Sequence, residues 1–334
     1  MTTIPPRGRV LAIGETLIDL IVSDGAPDLR TATSLAIRPG GAPANAAVAL
    51  ARLGVPSGFC GVVGRDPFGE RLRGTLAANG VDVSTLRATP DAATTLAFAW
   101  KDARGDGNFT FLRLADGLLS VADVEAAGIP DCAAILVGSV VLPVESARRA
   151  VHRAVEIAAE AGVPIVFDVN FRPALWPDPT AALAICGPIL DHATVLKLSL
   201  DDARALLGTD GEPEDLLREA AALAPPITVL TDGARGCWSF ATDGASGERG
   251  ENADVIHLPV FAVAAIEPTG AGDAFTAGLI SRLILNGWST PTEADLRFAA
   301  AAGALATTRP GAMDGLPGRQ ELDLFLDGQG QADG

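Results

Sequence analysis

Short apolar runs alternate along the chain with longer, Ala-rich segments in which apolar residues recur at helical spacing. The short runs predict buried strands at residues 10–13, 58–63, 134–137, 165–168, 194–198 and 227–231. The longer segments predict helices at residues 43–53, 68–79, 144–161, 180–190, 201–207 and 271–286. This alternation is typical of βαβ units, so we predict an α/β protein with a mainly parallel sheet covered by helices on both faces.

Two segments break the alternation. Residues 31–38 and 95–114 have strand patterns without a crossover helix, and the second contains a turn at Gly105-Asp106-Gly107-Asn108, which predicts a hairpin. Together they predict a small sheet that projects from the main one. Residues 1–327 are expected to form a single domain, and residues 328–334, rich in Gly, Gln and Asp, are expected to be a disordered tail.

The bulk composition excludes several classes of protein. The 334 residues are 48% hydrophobic, which indicates a folded protein, and the net charge of −16 argues against nucleic-acid partners. The first apolar run is interrupted by Glu15 and Asp19, and we expect no membrane span. The four cysteines form no Cys-x-x-Cys pair, so we expect buried thiols, no metal motif and a cytoplasmic protein.

The strongest chemical signal is the run from Thr269 to Asp273, which precedes a segment of helical period. Its small residues let a ligand approach the first turn, where free N–H groups and the helix dipole attract an anion. A carboxylate beside that anion can accept a proton from an attacking hydroxyl group. On spacing alone, ordinary capping by Asp273 is an equal alternative. Phe275 replaces the third glycine of a dinucleotide fingerprint, and neither lysine stands in a P-loop.

Two further groups carry polar side chains at predicted element ends. In Gly40-Gly41-Ala42-Pro43-Ala44-Asn45 the glycines and proline predict a sharp helix start, where the Asn45 amide suits a polyhydroxylated ligand or is simply solvated. Asp19 follows an apolar strand, and we place it where open α/β sheets bind ligands. In Asp168-Val169-Asn170-Phe171-Arg172, the arginine could neutralise a phosphoryl group or form a structural ion pair.

With these motifs the chain resembles the ribokinase-like (PfkB-type) carbohydrate kinases over residues 10–311. The stretches that begin at Gly40 and Gly270 match the family's two signatures, in the family's order. The chain is most similar to fructokinases through four stretches: residues 14–19, 41–45, 94–98 and 168–172. The resemblance implies a three-layer α/β/α ribokinase-like fold with a small β-sheet lid, formed by segments at about residues 14–40 and 91–116.

The resemblance also assigns roles to individual residues. It implies that Asp273 is the catalytic base, with an anion hole and a phosphoryl-neutralising arginine at Gly270, Ala271, Gly272 and Arg172. Sugar contacts are expected from Asp19, Gly40, Gly41, Asn45, Arg113 and Asn170. Nucleotide contacts are expected from Lys197, Ser199, Thr231, Gly233 and Gly236. The resemblance also implies that Asp202 is a Mg²⁺ ligand and that Glu267, Thr269 and Gly311 form a site for a monovalent cation such as K⁺.

The chain departs from the family pattern at three places. Ser199 and Asp202 stand where the family often has Asn and Glu, Glu267 stands where it usually has Asp, and Leu112 stands where a fructokinase often has an aromatic residue. We expect an ATP- and Mg²⁺-dependent kinase that converts D-fructose to fructose 6-phosphate and forms a homodimer through the lid. The alternatives are a 2-keto-3-deoxygluconate kinase, a ribose- or nucleoside-type kinase, and a non-catalytic sugar-binding regulator.

Overall fold

The structure, a computed structural model, describes residues 8–102, 107–176, 178–223, 225–241 and 255–332. Its strands are β1 (Val10–Ile13), β2 (Leu17–Val22), β3 (Leu35–Gly40), β4 (Ser57–Gly64), β5 (Leu86–Thr89), β6 (Leu96–Lys101), β7 (Gly107–Leu112), β8 (Ala134–Gly138), β9 (Ile165–Asp168), β10 (Val195–Ser199), β11 (Ile227–Thr231), β12 (Cys237–Ala241) and β13 (Ile256–Leu258). Its helices are α1 (Ala42–Arg52), α2 (Pro67–Ala78), α3 (Val121–Glu125), α4 (Glu145–Glu160), α5 (Ala182–Leu190), α6 (Leu200–Leu207), α7 (Pro213–Ala221), α8 (Ala271–Leu285), α9 (Glu293–Ala306) and α10 (Arg319–Ala332).

The main sheet has nine strands in the order β13-β12-β11-β10-β9-β8-β1-β4-β5. Neighbours from β5 to β11 pair in parallel, whereas β12 and β13 are antiparallel at one edge. The predicted mainly parallel sheet is therefore confirmed. Register places Gly138 and Asp168, at the carboxyl ends of β8 and β9, beside Lys197, which lies two residues before the end of β10. Open α/β sheets bind ligands at such ends.

The strands are buried on both faces, which explains their nearly continuous apolar sequence. In β1, Val10 and Ala12 pack into one hydrophobic cluster, while Leu11 and Ile13 pack into the other. This alternation follows from the two-residue period of a strand. One cluster includes residues of α1, α8 and α9, and the other includes residues of α3 to α7. The sheet thus lies between two helical layers, which confirms the three-layer fold.

The second sheet has four strands in the order β3-β2-β6-β7 and forms the lid. Its existence confirms the interpretation of the two irregular segments, although part of the expected hairpin turn, at residues 105–106, lies outside the described residues. Strand β3 begins at Leu35, later than predicted. The reason is a turn in which the Asp24 carboxylate accepts hydrogen bonds from Thr33 and Ser34.

Several elements escaped the sequence interpretation, among them α7, α9, β12 and β13. The disorder expected from residue 328 was wrong as far as Ala332, because α10 continues through this segment. Once Leu322 is buried and the helix has begun, each further residue adds a backbone hydrogen bond, which sustains the helix despite its glycines. Among the described residues, every helix is too short or too polar to cross a lipid bilayer.

Candidate active site

Helix α8 begins at the predicted anion hole. Gly270 precedes it in the left-handed conformation (φ 86°), and a Cβ atom there would lie 2.6 Å from the Ala312 carbonyl oxygen. Glycine is therefore required both for the turn and for the close approach of the loop. The Ala271 N–H donates to the Pro268 carbonyl (3.1 Å), so the helix leaves the following amides, of Gly272 and Asp273, for an anion.

Asp273 is held by a side chain from the other sequence signature. The Asn45 Nδ2 atom donates to Asp273 Oδ2 (2.8 Å), which joins α1 to the first turn of α8. Asn45 is only 5% exposed, and its Oδ1 atom is buried without a hydrogen-bond partner. An unpaired buried acceptor is costly, so this atom requires a donor such as a ligand hydroxyl group.

The environment of Asp273 favours proton transfer near neutral pH. Burial raises the pKa of its carboxyl group to about 7, with a further contribution from the negative charge of Asp168. The Asn45 hydrogen bond and the positive charges of Lys197 and Arg172 oppose this rise. A carboxylate with a pKa near the working pH is well suited to act as a general base.

Asp19 lies on the lid sheet, within β2, which corrects its expected position at the end of a main-sheet strand. Its carboxylate fits against Gly40 of β3, since a Cβ atom on Gly40 would lie 2.0 Å from Asp19 Oδ2. Burial raises the pKa of Asp19 to about 7, and the charges of Glu267 and Asp273 add to this effect. The lid therefore brings a second carboxyl group towards the first turn of α8.

Beneath that turn lies a buried ion pair. Lys197 Nζ lies 3.0 Å and 3.3 Å from the two carboxylate oxygens of Asp168, and Thr276 Oγ1 donates to Asp168 Oδ2 (2.6 Å). Nearby, Asn170 adopts a left-handed conformation (φ 42°), which asparagine tolerates better than most residues. Arg172 extends towards the lid, where its guanidinium group lies 5.9 Å from the Phe109 ring centroid.

On the other side of the α8 turn lies a cavity of about 490 Å³. Small apolar side chains and glycines make up most of its lining, which consists of Thr231, Gly233, Ala234, Gly236, Cys237, Val260, Phe261, Ala262, Val263, Ala265, Pro268, Ala271, Gly272, Phe275, Ala300, Gly303, Ala304 and Thr307. Phe261 packs against Phe325 of α10, with ring centroids 5.3 Å apart. This volume is within the range of small-molecule and cofactor sites.

The loops expected to hold a monovalent cation do meet. The Gly311 N–H donates to Glu267 Oε2 (3.0 Å), while Thr269 lies exposed just before Gly270. The following Asp314 pairs with Arg38 of the lid strand β3 (3.2 Å). Across the described ranges, no group of three or more His, Cys, Asp and Glu side chains is arranged to hold a metal ion.

Comparison with known proteins decides the family. The model of the pfkB family carbohydrate kinases matches residues 7–319. The chain belongs to this family. It is therefore a sugar phosphotransferase with a ribokinase-like fold, as the two signatures implied.

Similar proteins include several fructokinases. The chain is 36% identical to the fructokinase of Klebsiella pneumoniae, over 96% of this chain and 100% of the relative. It matches a fructokinase from Xylella fastidiosa with bound ATP (TM-score 0.83, 29% identity, 97% of this chain and 99% of the other). It also matches a double-mutant fructokinase of Vibrio cholerae with fructose, ADP and a potassium ion (TM-score 0.80, 33% identity, 96% and 98%).

Many of the sequence-predicted residues of this kinase lie around the α8 turn, but Arg113, Ser199 and Asp202 have other partners. The Ser199 Oγ atom accepts the N–H of Asp202 (3.0 Å) as the N-cap of α6. Arg113 donates to Asp116 Oδ2 and to the Val140 carbonyl, both at 2.8 Å, so its sugar contact stays a prediction. Asp202 caps α6: its two oxygens accept the N–H groups of Phe171 (2.6 Å) and Ser199 (2.8 Å). These two hydrogen bonds are sufficient to fix the position of the Asp202 carboxylate, so a structural role accounts for it, and its role as a Mg²⁺ ligand stays a prediction.

Sequence reasoning missed three residues that lie beside the candidate site: Glu15, Phe261 and Thr276. Glu15 is 2% exposed and accepts the Ala42 N–H (3.1 Å) beside the Gly41 turn, and burial raises its pKa to about 8. A charged residue inside an apolar run was the available signal, since burial of a carboxyl group is costly. Thr276 and Phe261 carried no such signal, because a hydroxyl on a buried helix and a lone aromatic residue are common.

Proposed function

We propose that this enzyme is an ATP-dependent fructokinase, which transfers the γ-phosphoryl group of MgATP to the 6-hydroxyl group of D-fructose. The observation that carries the proposal is the Asn45–Asp273 pair, in which a general base and an unpaired amide oxygen lie together at the start of α8. A hydroxyl group bound there can donate to one of them and transfer its proton to the other. The fructokinase relatives support the choice of sugar.

We assign ATP to the cavity beyond the α8 turn. The position of this cavity next to Asp273 gives the proposed direction of attack. The Gly272 amide borders the cavity, while Asp273 is the next residue on the helix. With the phosphates against the turn, the sugar oxygen attacks the γ-phosphorus as Asp273 accepts its proton. The new O–P bond forms, the bond to ADP breaks, and the amides, Lys197 and Arg172 stabilise the negative charge.

Magnesium would enter the site as part of the MgATP substrate. Both Asp202 oxygens accept backbone N–H groups, and the described residues offer no cluster of acidic ligands. Mg²⁺ in kinases is commonly bound through substrate phosphates and water, with only one or two carboxylates. Mg²⁺ would therefore be held by the ATP phosphates and by water.

A dimer through the lid is the oligomeric state that we propose. Cross-strand pairing places Leu20 and Val22 opposite Ile37 and Leu35, so these four side chains share one face of the lid, while Asp19 and Arg38 share the other. Leu35 and Ile37 are 37% and 39% exposed. Light scattering should give the mass of a dimer, and Ile37→Asp should give a monomer. A monomeric wild type would contradict this state.

ADP release with MgATP and a panel of sugars tests the function. The panel contains D-fructose, ribose, 2-keto-3-deoxygluconate, tagatose and nucleosides, with Asp273→Asn as the inactive control. We expect the highest kcat/KM with D-fructose and a product phosphorylated at C6 by NMR. A higher kcat/KM with another sugar would overturn the choice of fructose, and no ADP release with any acceptor would favour the sugar-binding regulator.

A further inference from the structure

We propose that Asp168 and Thr276 are positioning residues that hold the Lys197 ammonium group against the first turn of α8, in reach of the transferred phosphoryl group and away from Asp273. This inference rests on the proposed kinase function and adds two residues to its machinery. Lys197 would be the group that touches phosphate, and Asp168 and Thr276 would act through it.

The first observation is the place of the lysine. A Cβ atom built on Gly272 would lie 3.2 Å from Lys197 Nζ, so the ammonium group sits against the backbone of the first turn of α8. Lys197 is 5% exposed and Asp168 is 7% exposed. A buried ammonium group requires a close partner, and Asp168 on the neighbouring strand supplies it at 3.0 Å.

The second observation is that Asp168 is fixed from two sides. Its backbone belongs to β9, in register with Lys197 of β10, while its Oδ2 atom accepts the hydroxyl group of Thr276. Thr276 is fully buried and lies on α8, three residues after Asp273. The chain Thr276–Asp168–Lys197 therefore ties the helix that carries the base to the strand that carries the cation.

The third observation is competition for the ammonium group. Besides Asp168, the charges of Asp202 and Asp273 act on Lys197. Lysine is a compact charge on a flexible stem, so without Asp168 it can pair with Asp273 and weaken the base. Asp168 and Lys197 also move the pKa of Asp273 in opposite directions, because one adds a negative charge and the other a positive charge. The groups that face or act on Asp273 are Asp168, Lys197, Arg172, Asn45 and Asp19.

In this arrangement, charge stabilisation and proton acceptance during phosphoryl transfer are carried out by different residues. Lys197 stabilises charge on the phosphate oxygens while the sugar proton moves to Asp273, and Asp168 keeps the two functions apart. Thr276 holds Asp168 by its hydroxyl group, so a serine at this position should serve and a valine should not.

Four variants and one double variant test the proposal: Asp168→Asn, Lys197→Met, Thr276→Val, Thr276→Ser and Asp168→Asn with Lys197→Met. We expect kcat to fall by about 10²-fold in the first two, as for loss of a preorganised charge-stabilising group, and sugar KM to change little. The acid limb of the kcat/KM profile should move to lower pH in Asp168→Asn and to higher pH in Lys197→Met. Thr276→Ser should keep most of the activity that Thr276→Val loses.

The double variant supplies the decisive comparison. If Asp168 acts through Lys197, the double variant should be no slower than Lys197→Met alone. Additive losses, or shifts of the acid limb in the same direction, would overturn the proposal. Thermal unfolding identifies variants that fail to fold. If the Asp168 or Lys197 variants fail to fold, the comparison of Thr276→Val with Thr276→Ser still tests the proposal, because these substitutions remove no buried charge.

Equilibrium binding of a non-hydrolysable ATP analogue with Mg²⁺ separates this proposal from the proposed function. Affinity should fall in Asp168→Asn and Lys197→Met to a similar extent, and no further in the double variant. This result would support the positioning role even if wild-type protein released no ADP with any sugar, an outcome that would overturn only the proposed function. Unchanged affinity in both single variants would overturn the positioning role.

Discussion

On one side of the α8 turn, the side chains of Asp19, Asn45, Asp168, Lys197 and Asp273 bring buried charge and hydrogen bonds together. On the other side, the cavity of about 490 Å³ is lined mainly by alanines, glycines and valines. The polar side can reject a wrong ligand by leaving buried groups unpaired, whereas the apolar side selects mainly by shape. Substitutions on the polar side should therefore affect mainly kcat, with loss of ATP affinity where Lys197 is removed or displaced, and substitutions on the apolar side should affect the KM for ATP.

Asp273→Asn should produce the largest effect. The amide has the same size but cannot accept the proton, and loss of a general base typically lowers kcat by about 10²–10⁴-fold. Binding of ATP and sugar, measured by calorimetry, should stay close to wild type. Asp201→Asn is the matched control, because the Asp201 side chain is 95% exposed. A variant with more than about a tenth of wild-type kcat would refute the role of Asp273.

Removal of Arg113 tests whether this residue belongs to the polar side of the site or to the scaffold. Asp116 is fully buried, and Arg113→Met would leave its charge without an ionic partner. We expect a loss of about 3–5 kcal/mol in the free energy of unfolding, measured with urea. Sugar KM, measured where the variant is folded, then tests the predicted contact with substrate. A stable variant would contradict the scaffold role, and an unchanged KM would contradict the sugar contact.

The pH dependence of kcat/KM tests the two carboxyl groups whose pKa values are raised, those of Asp19 and Asp273. Asp273 accepts a proton only when ionised, so kcat/KM should be high above its pKa and should decrease as pH falls below about 7. Asp19 also has a pKa raised to about 7, and if both groups must ionise the decrease approaches about 100-fold per pH unit. Asp19→Asn should reduce this slope to about tenfold per unit. A constant kcat/KM from pH 8 to 5 would exclude both assignments.

On the apolar side, Ala304→Leu should obstruct nucleotide without affecting the base. Ala304 is 8% exposed and lines the cavity. Overpacking typically costs about 1–3 kcal/mol, and a cost of this size on nucleotide binding corresponds to a KM for ATP raised about 5- to 150-fold. Fructose KM should be unchanged, and Ala264→Leu, at an exposed position outside the lining, is the control. Equal KM values for ATP in wild type and Ala304→Leu would place the nucleotide elsewhere.

The smallest expected effect is activation by potassium. An ion at Glu267, Thr269 and Gly311 would order the loop before the anion hole, but the Glu267–Gly311 hydrogen bond already joins these segments. We therefore expect kcat in potassium to exceed that in tetramethylammonium by only about threefold. Rates should be compared in sodium, potassium and tetramethylammonium salts at equal ionic strength. Equal rates would mean that Glu267 supports the loop without an ion.

Local rules explain which features the sequence could predict. The buried strands, the start of α8 and the lid segments follow from apolar period and from glycine near helix ends, all of which are visible in short windows. The partners of Asp273 are different, because Asn45 lies on another helix and Asp168 and Lys197 lie on separate strands. Their approach depends on the whole fold.

The apolar side was harder to predict because most of its lining residues lack polar or charged side chains. Ala300, Gly303 and Ala304 of α9 line the cavity, but small residues in a helix give no signal of a ligand. Composition also misled at α10, where glycines near the end of the chain suggested disorder although Leu322 is fully buried. Burial, which depends on tertiary packing, outweighed local propensity there.

The packing of α10 has a practical consequence for protein engineering. Phe325 supports Phe261, which also lies under the guanidinium group of Arg297 (5.0 Å), so α10 holds one wall of the cavity of about 490 Å³. Shortening the chain before Phe325 would remove this support, so a truncation intended for crystallisation should leave Phe325 and its contact with Phe261 in place.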